Sequence, residues 1–196
     1  MSSTITSFSS AQHYLQLEEQ YGAHNYHPIP VVLNRGKGVH VWDVEGKQYY
    51  DFLSGYSAVN QGHCHPRLLA ALTEQAQQLT LTSRAFHSNL LGEYAQYICT
   101  LFGYDKVLPM NTGVEAVETG IKLCRRWAYR VKGIKENQAQ IIVCEGNFHG
   151  RTSTVISFSS DPSSRNDFGP YMPGFISIPF NDLDALTKAF ENKNVA

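Results

Sequence analysis

Several things are missing from this 196-residue chain, and each absence narrows what it can be. No stretch reaches the roughly 18 consecutive apolar residues of a transmembrane helix, so the sequence predicts no membrane span. The 34 residues before Arg35 contain neither lysine nor arginine. A secretory signal needs a charged start and an apolar run, and a mitochondrial presequence needs arginines on an amphipathic helix. Neither pattern occurs, which predicts a cytoplasmic location. There is no CxxC pair: Cys64, Cys99, Cys124 and Cys144 lie far apart, as reduced thiols do, rather than forming a disulfide framework. A Walker A lysine loop, a GxGxxG fingerprint and a GxSxG elbow are all absent, which removes support for those nucleotide and hydrolase folds.

Charge is scarce as well. The 16 Lys+Arg and 17 Asp+Glu residues make 17% of the chain and a net charge of −1, against about 25% charged residues in an ordinary soluble domain. Without a basic surplus the sequence predicts no nucleic-acid surface. Apolar residues make 42% and aromatics 12% of the chain, enough for one core. So much apolar surface and so little charge predict that part of the exterior meets a partner, and that the chain alone is sticky and marginally stable.

What is present falls into two stretches. Residues 1–10 are Ser/Thr-rich and have little to bury, so they read as a frayed start. A short helix is predicted over Ala11–Tyr21. Val31 to Phe52 reads as a β-meander, with alternation at Val39 and Val41, a turn at Asp43-Val44-Glu45-Gly46 and a returning strand. Beyond Gly62, helices alternate with short apolar strands. Helices are predicted at Pro66–Leu79, Ser88–Phe102, Gly113–Val131 and from Asp182 to about Phe190, and strands at Lys106–Met110, Gln140–Cys144 and Phe175–Pro179. That alternation predicts an α/β fold with a mostly parallel sheet. The division expected is an N-terminal segment, 1–56, followed by the first part of a larger domain, 57–196.

Three motifs carry chemistry. Met110-Asn111-Thr112-Gly113-Val114-Glu115-Ala116 stands at a strand-to-helix junction, with Thr112 and Glu115 spaced as a capping box. Gly113 lets a ligand come close to the backbone, and the first amides of the helix suit a phosphate. An ordinary capped helix satisfies the same pattern. Glu145-Gly146-Asn147-Phe148-His149-Gly150-Arg151-Thr152 follows the next strand. An aromatic there can stack on a flat ring, and an arginine can hold a carboxylate with two hydrogen bonds. Taken singly, Phe148 also reads as core and Arg151 as a surface ion pair. Gly62-His63-Cys64-His65-Pro66 offers possible metal ligands, but adjacent residues point apart and no second ligand pair follows, which favours a tight turn into the next helix.

Together with Asn25-Tyr26-His27-Pro28, Gly36-Lys37-Gly38, Trp42-Asp43, Asp51 to Ser54, Ser57 to Gln61 and Leu81 to Phe86, these motifs resemble the class III, ω-amino aminotransferases of the pyridoxal-phosphate fold type I superfamily. Val107 to Gly113 and Phe168 to Gly174 narrow the likeness to the branch acting on ornithine, and it covers about residues 14 to 190. The resemblance implies pyridoxal 5'-phosphate as cofactor, with its phosphate held by Thr112, Gly113 and Val114 and its ring stacked on Phe148. It implies L-ornithine and 2-oxoglutarate as substrates, with Arg151 on the α-carboxylate, Tyr26 at the α-amino end and Tyr56 lining the pocket. It also implies a homodimer or higher homo-oligomer. The family's Schiff-base lysine has no counterpart in a matching context here, so the resemblance is to an amino-terminal half, and no catalytic residue is assigned; the alternatives are an aminotransferase for acetylornithine or another ω-amino acid, and a non-catalytic remnant.

Overall fold

The computed structural model describes residues 10–196; apart from Ser10, the expected frayed start lies outside them. The chain divides into two compact units, one up to Asn89 and one from Leu90 to Ala196.

The first unit opens with α1 (Ala11–Tyr21), as the spacing predicts. The meander follows as β1 (Leu33–Lys37), β2 (His40–Asp43) and β3 (Gln48–Tyr50), antiparallel in that order. Its second turn is built around one carboxylate. Asp43 is buried, and its Oδ1 accepts the amides of Glu45 (3.0 Å) and Lys47 (2.8 Å) while Tyr49 donates its hydroxyl to Oδ2 at 2.7 Å. The Tyr49 phenol and the two amides hold this carboxyl below its ordinary value, and the same bond raises the Tyr49 hydroxyl. Gly46 completes the turn at φ +87°, a conformation that suits glycine. On β1 the Arg35 guanidinium lies 4.0 Å from the centre of the Trp42 ring.

Next comes α2 (Ser54–Ser57), a single turn in which all four residues have positive φ: 49°, 56°, 56° and 70°. Three of the four carry a Cβ, and left-handed winding costs such residues about 1–2 kcal/mol each. The one-turn α2 escaped the sequence reading because four residues are too few to show a helical period. α3 (Pro66–Gln78) then starts with Pro66 in its first turn.

In the second unit, α4 spans Asn89–Phe102, its first residue falling at the boundary, and α5 spans Gly113–Trp127. The predicted helix to Val131 continues as a π turn over Ala128–Lys132, which ends at Gly133. β4 (Ile141–Cys144) and β5 (Phe175–Ile178) pair in parallel, Ile141 beside Phe175 and Cys144 beside Ile178. Short helices α6 (Ser153–Ile156) and α7 (Pro162–Arg165) fill the crossover, and α8 (Leu183–Phe190) starts where Asp182 accepts the Ala185 amide at 2.8 Å. The segment predicted as a strand at Lys106–Met110 has no regular secondary structure and no strand partner among the described residues. A strand needs a neighbour to complete its ladder, and its apolar residues alone do not supply one.

The core of this unit gathers Ile121, Val155 and Phe158, with Val114, Val117, Ile141, Val143 and Phe175 packed against them. The inward face of α5 is therefore fixed to the sheet from its first turn onward. By contrast, α3 and α4 contain no buried residue, and Leu68, Leu72, Tyr97 and Leu101 stand exposed on them. No helix among the described residues is long and apolar enough to cross a membrane.

Candidate functional site

The start of α5 has the geometry its sequence spells. Glu115 donates its amide to Thr112 Oγ1 at 3.2 Å, and the Glu115 carboxylate accepts the amides of Asn111 (2.8 Å) and Thr112 (3.2 Å). The capping box therefore occupies three amides. The next two, those of Gly113 and Val114, have no protein acceptor among the described residues, as expected in the first turn of a helix. A Cβ placed on Gly113 would meet nothing within 4 Å, so open space borders these donors. Two unused amides stand at the positive end of a 15-residue helix, a geometry that suits an anion.

The loop from Glu145 to Thr152 leaves the carboxyl end of β4 and returns to this helix. Gly150, at φ +118°, lies so close to Val114 that a Cβ there would fall 2.8 Å from the Val114 side chain; only glycine permits the approach. Thr152 donates its hydroxyl to Glu118 Oε1 in a short hydrogen bond. On the other side Asn147 donates to the carbonyls of Cys144 (2.6 Å) and Phe158 (3.2 Å), and Gly146 donates its amide to Ser160 Oγ at 2.7 Å. His149 meets the buried Phe158 edge-on, ring centres 5.8 Å apart. With its neighbours pinned, Phe148 projects outward, 71% exposed, which removes the reading of it as core. Arg151 is exposed beside it.

Thr112, Gly113, Val114, Phe148 and Arg151 thus belong to two segments joined by the Gly150–Val114 contact. Tyr26 and Tyr56 belong to the first unit: Tyr26 lies in the irregular stretch after α1, and Tyr56 stands 83% exposed on the left-handed turn. The supports at Glu118, Asn147 and Ser160 were missed in the sequence. Glu118 alone had a local signal, since four residues after Val114 it falls on the same helix face.

The Gly62 to Pro66 motif forms a turn, and no group of three or more potential metal ligands occurs among the described residues. His63 exchanges both backbone hydrogen bonds with Gly38 and holds Asp51 Oδ2 at 2.7 Å. The bond to His63, followed by the Ser54 and Leu53 amides, holds the Asp51 carboxyl below its ordinary value. Two open hollows of about 750 and 480 Å³ flank the Arg35–Trp42 stack, and none of the predicted site residues lines either.

Residues 21–195 match the family model for class-III aminotransferases, and the chain belongs to that family. It is 59% identical over 187 residues to the mitochondrial ornithine aminotransferase of Rattus norvegicus, covering 95% of this chain and 43% of the relative. An ornithine aminotransferase of Plasmodium falciparum is 56% identical over 191 residues, covering 97% and 46%. Among solved structures, the ornithine aminotransferase of Toxoplasma gondii superimposes with a TM-score of 0.94 at 46% identity, covering 96% of this chain and 44% of that one. An acetylornithine aminotransferase from Elizabethkingia anophelis superimposes at 0.81 with 62% identity, covering 95% and 45%. The chain therefore spans less than half the length of these relatives. Its α/β fold is that of the pyridoxal-phosphate-dependent aminotransferases it superimposes on.

Proposed function

We propose that this chain supplies the cofactor seat and substrate clamp of an ornithine aminotransferase. In that reaction the δ-amino group of L-ornithine passes to 2-oxoglutarate, giving L-glutamate 5-semialdehyde and L-glutamate. The observation that carries the reading is the docking of the Phe148–Arg151 loop on α5 through Gly150 and Val114, beside two amides with no protein acceptor. The ornithine aminotransferase names of relatives at 56–59% identity point the same way.

The residues fit pyridoxal 5'-phosphate. The Gly113 and Val114 amides and the Thr112 hydroxyl take the phosphate, and the open side of Gly113 leaves room for it. Phe148 offers a ring face for stacking. The bound cofactor supplies an electron sink for the carbon that loses its proton. Arg151 takes the α-carboxylate of ornithine with a planar pair of donors, Tyr26 holds the α-amino end, and Tyr56 lines the pocket. Fixing the α-end in this way directs the δ-amine toward the cofactor, which accounts for terminal transfer.

The lysine that bonds the cofactor and carries the proton is assigned to sequence outside these 196 residues. Lys132, for example, is committed to the Val195 carbonyl at 2.6 Å. The chain alone is then inactive, and reading the coding sequence past codon 196 for that lysine tests the assignment. The exposed apolar side chains of α3 and α4 support a homodimer or higher homo-oligomer.

A second reading keeps the chemistry and changes the donor to acetylornithine or another ω-amino acid, and the 62% identity to the Elizabethkingia acetylornithine aminotransferase favours it. Tyr26 separates the two. In a complete enzyme, Tyr26→Phe should lower the preference for L-ornithine over N-acetylornithine. An unchanged preference removes Tyr26 from that role.

A further inference from the structure

Asp51, His63 and the turn at Ser54–Ser57 form one assembly that the roles above leave unused. The Asp51 carboxylate works on both sides. Its Oδ1 accepts the amides of Leu53 (2.9 Å) and Ser54 (2.8 Å), the residues entering the left-handed turn, and its Oδ2 is bonded to His63 Nε2 at 2.7 Å. His63 is itself held from two directions. Its backbone pairs with Gly38 in both senses, at 2.9 and 2.8 Å. Its ring packs on Gly36 so closely that a Cβ there would fall 2.7 Å from the imidazole. Gly36, Gly38, Asp51 and His63, drawn from three separate motifs, therefore converge on a single carboxylate.

That carboxylate stands at the entrance to four successive residues of positive φ, and the third of them is Tyr56. Three residues with side chains do not adopt this conformation unless their surroundings impose it, and such strain gathers where a side chain must be aimed. Within the turn, Val59 donates its amide to the Ser54 carbonyl at 2.9 Å and Ser57 donates to Leu53 at 3.2 Å. The entry amides depend on Asp51.

We propose that Asp51 and His63 are positioning residues that set the Ser54–Ser57 turn and thereby aim Tyr56, so that they govern how tightly the amino donor is held. The inference rests on the reading of Tyr56 as a substrate-pocket residue. Neither Asp51 nor His63 contacts substrate in this account; both act through the turn.

The test uses a complete, cofactor-loaded enzyme carrying this sequence. His63→Ala should raise KM for L-ornithine about tenfold, the size expected for one lost charge-assisted hydrogen bond, with KM for 2-oxoglutarate and the visible cofactor spectrum unmoved. His63→Gln, which keeps an N–H donor, should recover most of the loss. Gly36→Ala, whose Cβ would displace the imidazole, should reproduce the His63→Ala result and serves if that variant does not fold. A folded His63→Ala or Gly36→Ala enzyme with unchanged KM for ornithine overturns the proposal, as does a uniform loss across both substrates and the cofactor spectrum. Tyr56→Ala tests the reading underneath. If it leaves KM for ornithine unchanged, Tyr56 is not in the pocket; if it raises KM and His63→Ala does not, only the positioning role fails.

Discussion

The two units hold the residues proposed for the site by different means. In the second, Phe148 and Arg151 ride on a loop anchored over Phe158 and against Val114, which belong to or pack on one buried apolar cluster. In the first, the buried side chains among the described residues are few, Val41 and Asp43, and shape comes from two carboxylates that each gather several donors. Apolar packing tolerates acid and salt, whereas a carboxylate network depends on its charge. The start of α5 and the loop docked on it should therefore be the sturdier region and the Tyr56 turn the more adjustable one.

Each unit carries one tryptophan, Trp42 in the first and Trp127 in the second, so single-tryptophan variants report on each separately. The largest effect is expected from Phe158→Ala, which opens a cavity beneath the loop. It should destabilise the second unit by about 3 kcal/mol, seen by denaturant unfolding at Trp127, with the Trp42 transition moved less. An equal shift at both tryptophans would show that the two units do not unfold independently. Thr112→Ala removes half of the capping box and should cost about 1 kcal/mol, again read at Trp127. In a complete enzyme the same change should weaken cofactor binding, and unaltered binding would take Thr112 out of the phosphate seat.

The acid response sharpens the contrast further. The folded-state pKa values of Asp43 and Asp51 lie below the ordinary 3.8. Their contribution to stability is therefore present above that value and is lost as pH falls through the lowered ones. Asp161, held down by the Ser164 and Ser163 hydroxyls, follows the same rule in the second unit but caps only the one-turn α7. On acidification below pH 3.8 the Trp42 emission should change before that of Trp127. The reverse order would show that the carboxylates do not hold the meander.

How far the sequence carried this picture depended on distance along the chain. The capping box at Thr112 and Glu115, the Asp182 cap and the Asp43–Gly46 turn are set by residues within four positions of one another, and all were legible. So were α3 and α4, whose apolar positions recur with helical spacing. The seat of the loop was not, because Gly150 and Val114 lie 36 positions apart and a glycine does not announce what it packs on. Lys106–Met110 was misread as a strand because pairing is a property of two segments. The left-handed turn was hidden for another reason: Gly55 is its sole glycine, and the other three residues adopt positive φ only in the company of Asp51 and His63.

In the proposed site, the loop docked on α5 places Arg151 on the substrate's α-carboxylate. In a complete enzyme, the most direct measurement compares kcat/KM for L-ornithine with that for 1,4-diaminobutane, which has the same terminal amine and no carboxylate, before and after Arg151→Ala. Ornithine should lose about a hundredfold, the size of a lost bidentate charged contact, while the diamine is unaffected. An equal loss for both donors, or none for ornithine, would take Arg151 off the carboxylate.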